Sequence, residues 1–258
     1  LIDLAIKNNL FLMEAIWTRF IPAFNKIEQL INSGEIGEIK TFQATLGQPS
    51  IINQDSNLFN NAMGGGSLLD LGVYLIFWSQ FFFGSPTRVQ SNLYRGNTDV
   101  DITASILLNY NQGRHANISS SIVTRFANNG VIYGTKGAIE IHQPLYCPTA
   151  ISIIKYKETG VSTKNKKYFL SKIFDKVKNF PILQNLYVNY PLLGQYILKN
   201  RRKATIYFPI KGNGLQYMTE EVSNYLINQP KDSKIIPLTI TMSVLETMHK
   251  ARSELGIN

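Results

Sequence analysis

Cysteine is almost absent: Cys147 is the only one in 258 residues. This excludes an internal disulfide framework and any multi-cysteine metal site. Histidine is nearly as scarce. His115, His142 and His249 are too scattered to form a zinc motif, so no metal site is expected. Long apolar runs are also lacking. The longest, Leu71 to Phe83, is interrupted by Gly72, Tyr74, Ser79 and Gln80 and is too short and mixed to span a bilayer. No G-x-G-x-x-G occurs: Gly64-Gly65-Gly66 has the wrong spacing and follows a polar loop rather than a strand. Leu1 is not an initiator Met, and no signal-peptide pattern follows it. The expectation is that an N-terminal part precedes Leu1. With one free cysteine and no visible targeting signal, a cytoplasmic location is expected.

Acidic residues are missing from one segment in particular. Between Lys155 and Lys211 there are 13 Lys and Arg against two acids, Glu158 and Asp175, while the whole chain carries +9. Aromatics such as Tyr168, Phe174 and Tyr187 interleave with these cations. The segment from about 162 to 205 reads as a basic insertion. One face could meet nucleic acid or an anionic membrane. The plainer alternative is a solvated basic face on a packed body, and no nucleic-acid motif accompanies the charge.

What is present is enough apolar material, 44% of residues, to build a real core. Leu10 to Ala15 reads as a short buried strand. Pro22 opens a helix with Ala23, Ile27, Leu30 and Ile31 on one face. Ile39 to Leu46 alternates as a strand does. A polar loop from Gln48 to Met63 and the triple glycine follow, and Ser67 is placed to cap a helix running to Phe83. Strand patterns recur at Arg88–Tyr94, Ile102–Tyr110, His115–Val123, Gly130–Tyr133, Ala138–Ile141, Ala150–Tyr156 and Thr205–Phe208. Their hairpin-like spacing predicts a mainly antiparallel sheet. Tyr217 to Ile227, with Val222, Tyr225 and Leu226 inward, and Thr239 to Leu255 predict two closing helices. The fold class is therefore α+β.

Two stretches carry possible chemistry. Asp70 and Tyr74 are spaced i,i+4 at the start of the helix that leaves the glycine loop. A phenol beside a carboxylate can transfer protons, with Asp70 orienting or tuning Tyr74. The same spacing also fits a helix-dipole carboxylate and an amphipathic core tyrosine. The second stretch is Phe11 to Pro22, in which apolar residues deliver Glu14, Trp17 and Arg19 to a strand end. An interface tryptophan and a surface arginine would read the same way.

Together these stretches resemble the glucose–fructose oxidoreductase / inositol dehydrogenase / MocA (Gfo/Idh/MocA) family, especially its dihydrodiol-dehydrogenase-like branch. Asp99-Val100-Asp101, Gly134-Thr135-Lys136-Gly137 and Cys147-Pro148-Thr149 extend the resemblance, as do Gly212 to Glu221 and Ile235-Ile236-Pro237. It covers nearly all the chain except about 162–205. The resemblance implies residues 1–20 as the tail end of a Rossmann domain. It implies 21–258 as a C-terminal substrate and dimerisation domain with an open sheet. The implied activity is hydride transfer between NADP or NAD and a hydroxyl or carbonyl carbon of a sugar, polyol or dihydrodiol. In the roles so implied, Tyr74 is the general acid/base and Asp70 its partner. Trp17 lines the substrate pocket, and Lys40 is a basic pocket residue. Arg19 and Glu14 stand on the cofactor side. A tyrosine at position 74 favours the dihydrodiol-type branch over inositol dehydrogenases, which more often have histidine there.

The family's glycine-rich phosphate loop and Glu-Lys-Pro motif are not in this sequence. The chain alone is therefore expected to bind NAD(P) poorly and to turn over slowly or not at all. The partners implied are a small sugar or diol and a second copy through the open sheet face. The other reading is a non-catalytic binding or assembly module derived from such an enzyme.

Overall fold

Alternation of apolar and polar residues sets the sheet. The computed structural model describes residues 1–53, 55–156, 203–210, 212–227 and 236–253. Among them eight strands form one sheet in the order β2-β3-β4-β1-β5-β6-β7-β8. They are β1 Ile39–Gly47, β2 Arg88–Arg95, β3 Asp101–Asn109, β4 His115–Ser121, β5 Gly130–Gly134, β6 Gly137–Ile141, β7 Ala150–Lys155 and β8 Lys203–Tyr207. Every neighbouring pair is antiparallel except β1 and β4, which run parallel. Each strand pattern noted in the sequence is found as a strand, with ends moved by at most two residues. Leu10–Ala15 is the exception. It forms no strand, because no neighbouring strand lies beside it among the described residues.

One face of the sheet is apolar. Phe42, Ala44 and Leu46 of β1 lie with Ala104, Ile106 and Leu108 of β3 and Ala116 and Ile118 of β4, all buried. Helix α3, Val73–Phe83, covers this face. It is apolar on every side and most of it is buried, so it is a core helix rather than an amphipathic one. The stretch Asn61–Phe83 is long and apolar enough to cross a membrane by length and composition, yet 67% of that window is buried within the protein. Helix α2, Pro22–Asn32, packs Phe24 against Trp78 with ring centroids 4.3 Å apart, and Phe42 supports Trp78 from the sheet. The last helix, α5 (Leu238–Ser253), lies on α3 and β2. Gln80 ties it down by donating to Thr247 Oγ1 at 2.6 Å and to the Ser243 carbonyl at 3.1 Å.

The sequence-based expectations for the remaining helices need adjustment. The short helix α1, Ile2–Lys7, buries no residue. Helix α4, Leu215–Ile227, also buries none, and Leu226 is 53% exposed rather than inward. Ile16 and Phe20 pack in the same buried cluster as Phe24 and Ile27 of α2. Most of the basic insertion and the end of the last helix lie outside the described residues.

The start of α3 departs from the simple helix expected. Leu68–Gly72 forms a π turn before the α-helix begins. Ser67 does not cap it. Buried completely, it turns its hydroxyl toward β4 and donates to Ser120 Oγ at 2.7 Å. The cap comes from β3 instead: Asp101 Oδ2 accepts the Leu68 N–H at 2.6 Å. Gly66, at φ +118°, leaves room for that carboxylate, since a Cβ there would stand 2.4 Å from Asp101 Oδ1.

Burial pushes the Asp101 carboxyl up to about 6, against the Leu68 bond and the more distant Arg252 and Arg95. A native value above the unfolded one means that its stabilisation is complete below about pH 4 and is lost as pH rises through about 6. The shift corresponds to roughly 2–3 kcal/mol. Asp101→Asn keeps an acceptor for Leu68 and removes the charge. Denaturant unfolding at several pH values should show wild-type stability falling between pH 4 and 7 relative to this variant. Parallel pH profiles for the two proteins would refute the assignment.

Candidate functional site

The start of α3 and the segment before α2 meet at Tyr74. The extended residues Leu10–Ala15 lead into a 3-10 turn, Trp17–Phe20, which Pro22 converts into α2. The turn brings the Trp17 indole onto the first residues of α3. Trp17 Nε1 donates to Tyr74 Oη at 2.9 Å. Tyr146 packs on the indole from the other side, with ring centroids 5.8 Å apart and planes tilted by 52°. Asp70, one turn before Tyr74, is exposed.

Charge and burial act together on Tyr74. Burial raises its pKa most. The Trp17 hydrogen bond opposes this, while the charges of Asp70 and then Glu14 raise it further. The phenol is therefore protonated at neutral pH. Burial also pushes the Asp70 carboxyl up.

Two hollows adjoin this group and share Leu69. One, of 360 Å³, is lined by Asn57, Leu58, Met63, Gly64 and Gly65, with Asp70 at its edge. The other, of 220 Å³, runs from Glu14 and Ile16 past Val73 to Val244 and Met248 of α5. A larger hollow of 470 Å³ beside Glu140 and His142 lies on the other face of the sheet, away from Tyr74. Among the described residues, no cluster of three or more His, Cys, Asp or Glu could hold a metal ion.

Four of the six residues singled out from the sequence thus come together: Tyr74, Asp70, Trp17 and Glu14. Two do not join them. Arg19 bonds Asn25 Oδ1 at 2.8 Å and Glu28 Oε2 at 2.9 Å, and its guanidinium lies 4.8 Å and 4.9 Å from the ring centres of Phe24 and Phe81. Its charge is taken up in joining the 3-10 turn to α2. Lys40 pairs with Glu38 at 2.6 Å near the start of β1. The π turn packs near the other end of that strand, where Leu46 pairs with Ser120. Six residues of strand separate Lys40 from Leu46, about 20 Å.

Three contributors escaped the sequence reading. Asp101 caps the π turn from 33 residues away, a pairing that only the sheet register creates. Asp99-Val100-Asp101 marked the place without giving the role. Tyr146 sits one residue before the noted Cys147-Pro148-Thr149. The π turn leaves no periodicity signal, because one wide turn cannot be told from an α-helical one in five residues.

Residues 24–140 match the GFO/IDH/MocA C-terminal domain. The chain is 30% identical over 259 residues to trans-1,2-dihydrobenzene-1,2-diol dehydrogenase of Xenopus laevis, a match covering 100% of this chain and 66% of the relative. The human enzyme of that name is 27% identical over 250 residues, covering 96% and 63%. The chain thus spans about two thirds of the length of the curated relatives it matches. Among solved structures, aldose-aldose oxidoreductase from Caulobacter crescentus, complexed with glycerol, superposes with a TM-score of 0.69 at 18% identity. That match covers 98% of this chain and 65% of the other. A 3-ketoreductase from Actinomadura kijaniata, in complex with NADP and TDP-benzene, gives 0.64 at 18% identity over 96% and 62%. These two likenesses concern the fold. With the family domain, the relatives and the fold in agreement, the chain belongs to the Gfo/Idh/MocA family.

Proposed function

We propose that this chain is the substrate-side part of an oxidoreductase that moves a hydride between NADP or NAD and a CH–OH or carbonyl carbon. Its substrate class is a sugar, polyol or dihydrodiol. The observation that carries this reading is the meeting of Trp17, Tyr74 and Asp70 at one cleft, on the residues that carry the family resemblance. The relatives that match along most of the chain are named as dehydrogenases of a dihydrodiol, which agrees with it.

The residues present fit the reacting end of such a cofactor: a half-buried phenol, an indole bonded to it, and two carboxylates whose charges reach it. Among the described residues they offer no phosphate cradle. No G-x-G-x-x-G is present, and Arg19 is held by Glu28 and Asn25. Residues 1–20 belong in this reading to the tail end of the nucleotide-binding domain. The exposed apolar side chains Leu1, Leu4, Ile6 and Leu10 are consistent with a partner surface there. When bound, the nicotinamide supplies or accepts the hydride. Tyr74 then gives its proton to a carbonyl oxygen in reduction, or receives one from a hydroxyl in oxidation. Its raised pKa keeps that proton on the phenol at neutral pH, which favours the reductive role. Asp70 accepts hydrogen bonds from substrate hydroxyls at the cleft rim. A cytoplasmic location belongs to the same reading, and Cys147 is free and buried.

The uncovered face of the sheet supports a second element, pairing with another copy of the chain. Thr103 and Ser121 bond across it at 3.1 Å, and Ser105 and Ser119 at 3.2 Å. Tyr94 and Tyr207 are 68% and 75% exposed on this same face. No described helix covers it.

Activity should be measured on the chain extended by the in-frame residues upstream of Leu1, with NADPH and neutral polyol or diol substrates. Tyr74→Phe should lower kcat/KM by about 10²–10⁴, the usual weight of a general acid, and leave nucleotide affinity unchanged. In the unsubstituted protein, carbonyl reduction should stay flat through neutrality and decline only above about pH 10. Full activity of the Tyr74→Phe variant would remove the mechanism. For the sheet face, sedimentation velocity should give a dimer that Ser105→Arg with Asn117→Arg dissociates. A wild-type monomer at micromolar concentration would contradict that contact.

A further inference from the structure

We propose that Trp17 is a positioning residue: its indole N–H holds the Tyr74 oxygen from one side and so turns the phenol's own proton toward the ligand. The inference rests on Tyr74 acting as the proton donor and acceptor, but its main test needs no turnover.

An indole N–H donates and has no lone pair to accept with. In the 2.9 Å contact between Trp17 Nε1 and Tyr74 Oη, the phenol oxygen must therefore be the acceptor. Conjugation keeps a phenol's hydrogen near the ring plane, which leaves it two seats. The indole occupies the side of one, so the proton takes the other. Asp70 and Glu14 reach Tyr74 through their charge and not through a hydrogen bond. Neither ties that proton down. Without the indole, the phenol could turn its proton into either seat, and only one of them faces a substrate oxygen.

The same donor serves after the proton has left. A phenolate beside two carboxylates is unfavourable, and Trp17 is the hydrogen-bond donor that offsets them. For that it must stay in place, and the structure holds it on three sides. Trp17 opens the 3-10 turn that Pro22 ends. Tyr146 packs on its ring. Behind it, Gly214 adopts φ +91°, where an added Cβ would lie 3.1 Å from Trp17 Cζ3 and 2.8 Å from Cys147 Sγ. The turn before α4 therefore closes on the indole without leaving space for a side chain. A residue that only walled a pocket would not need its ring fixed so closely to one phenol.

The protein contains two tryptophans, Trp17 and Trp78, and so gives two indole N–H signals in ¹H–¹⁵N spectra of the 258-residue chain. Trp78 Nε1 is buried with no hydrogen-bond partner among the described residues, so the two signals should be well separated. Trp17→Phe identifies its own signal by removing it. Tyr74→Phe should move the Trp17 signal upfield. In the unsubstituted protein, raising pH into the tyrosine range should move that signal downfield, and Tyr74→Phe should abolish this titration. A Trp17 signal that neither responds to Tyr74→Phe nor titrates overturns the proposal. In the extended, active protein, Trp17→Phe keeps a ring and removes the donor. It should lower kcat about tenfold with KM little changed, and it should shift the alkaline limb upward. A change confined to KM would make Trp17 a pocket wall and reject the positioning role. Loss of all hydride transfer in the unsubstituted extended protein would instead defeat the oxidoreductase reading and leave the spectral test standing.

Discussion

Helix α3 has no polar face, and that constraint organises the molecule. A helix apolar all round must be enclosed. Enclosure comes from the apolar side of the sheet below, α2 on one flank and α5 on another. Ser79 and Gln80 are the polar residues it buries, and both are hydrogen-bonded, to Tyr110 and to α5. A buried helix still has to begin somewhere, and its first turn is where the enclosure ends. The π turn at Leu68–Gly72 is that beginning, capped by Asp101 and seated on Ser120. Asp70 and Tyr74 thus stand at a cleft because the residues that follow them cannot.

The site is electrostatically one-sided. Asp70 and Glu14 both bear on Tyr74, whereas Arg19 and Lys40 are paired elsewhere. Anionic surroundings and burial hold the phenol protonated, and one neutral donor, Trp17, works in the other direction. Such a cleft suits an uncharged hydroxylated ligand better than a phosphorylated one.

Much of this was legible from residue patterns. Alternation marked the strands, because a half-buried strand repeats every two residues. The i,i+4 pair Asp70 and Tyr74 was visible from spacing alone, and motif order along the chain brought Trp17 and Glu14 to the same site. Long-range pairings were not legible. Nothing near Ser67 in sequence says that its cap role passes to Asp101, since that depends on the register of β3 beside β4. The partners of Arg19 and Lys40 were not legible either: Glu28 and Glu38 lie close enough to pair with them. Residue type and position together still leave open which neighbour a long side chain takes.

In the function proposed above, this chain carries the substrate side of a hydride-transfer site, with the nucleotide contacts mainly on other residues. Fluorescence titration of NADPH and NADH tests it most directly, using the 258-residue chain and its in-frame extension in parallel. The account predicts saturable binding of a nucleotide to the extended protein and little or none to the 258-residue chain. Absence of binding to both would contradict it, and the open sheet face would then be the surface through which the protein acts.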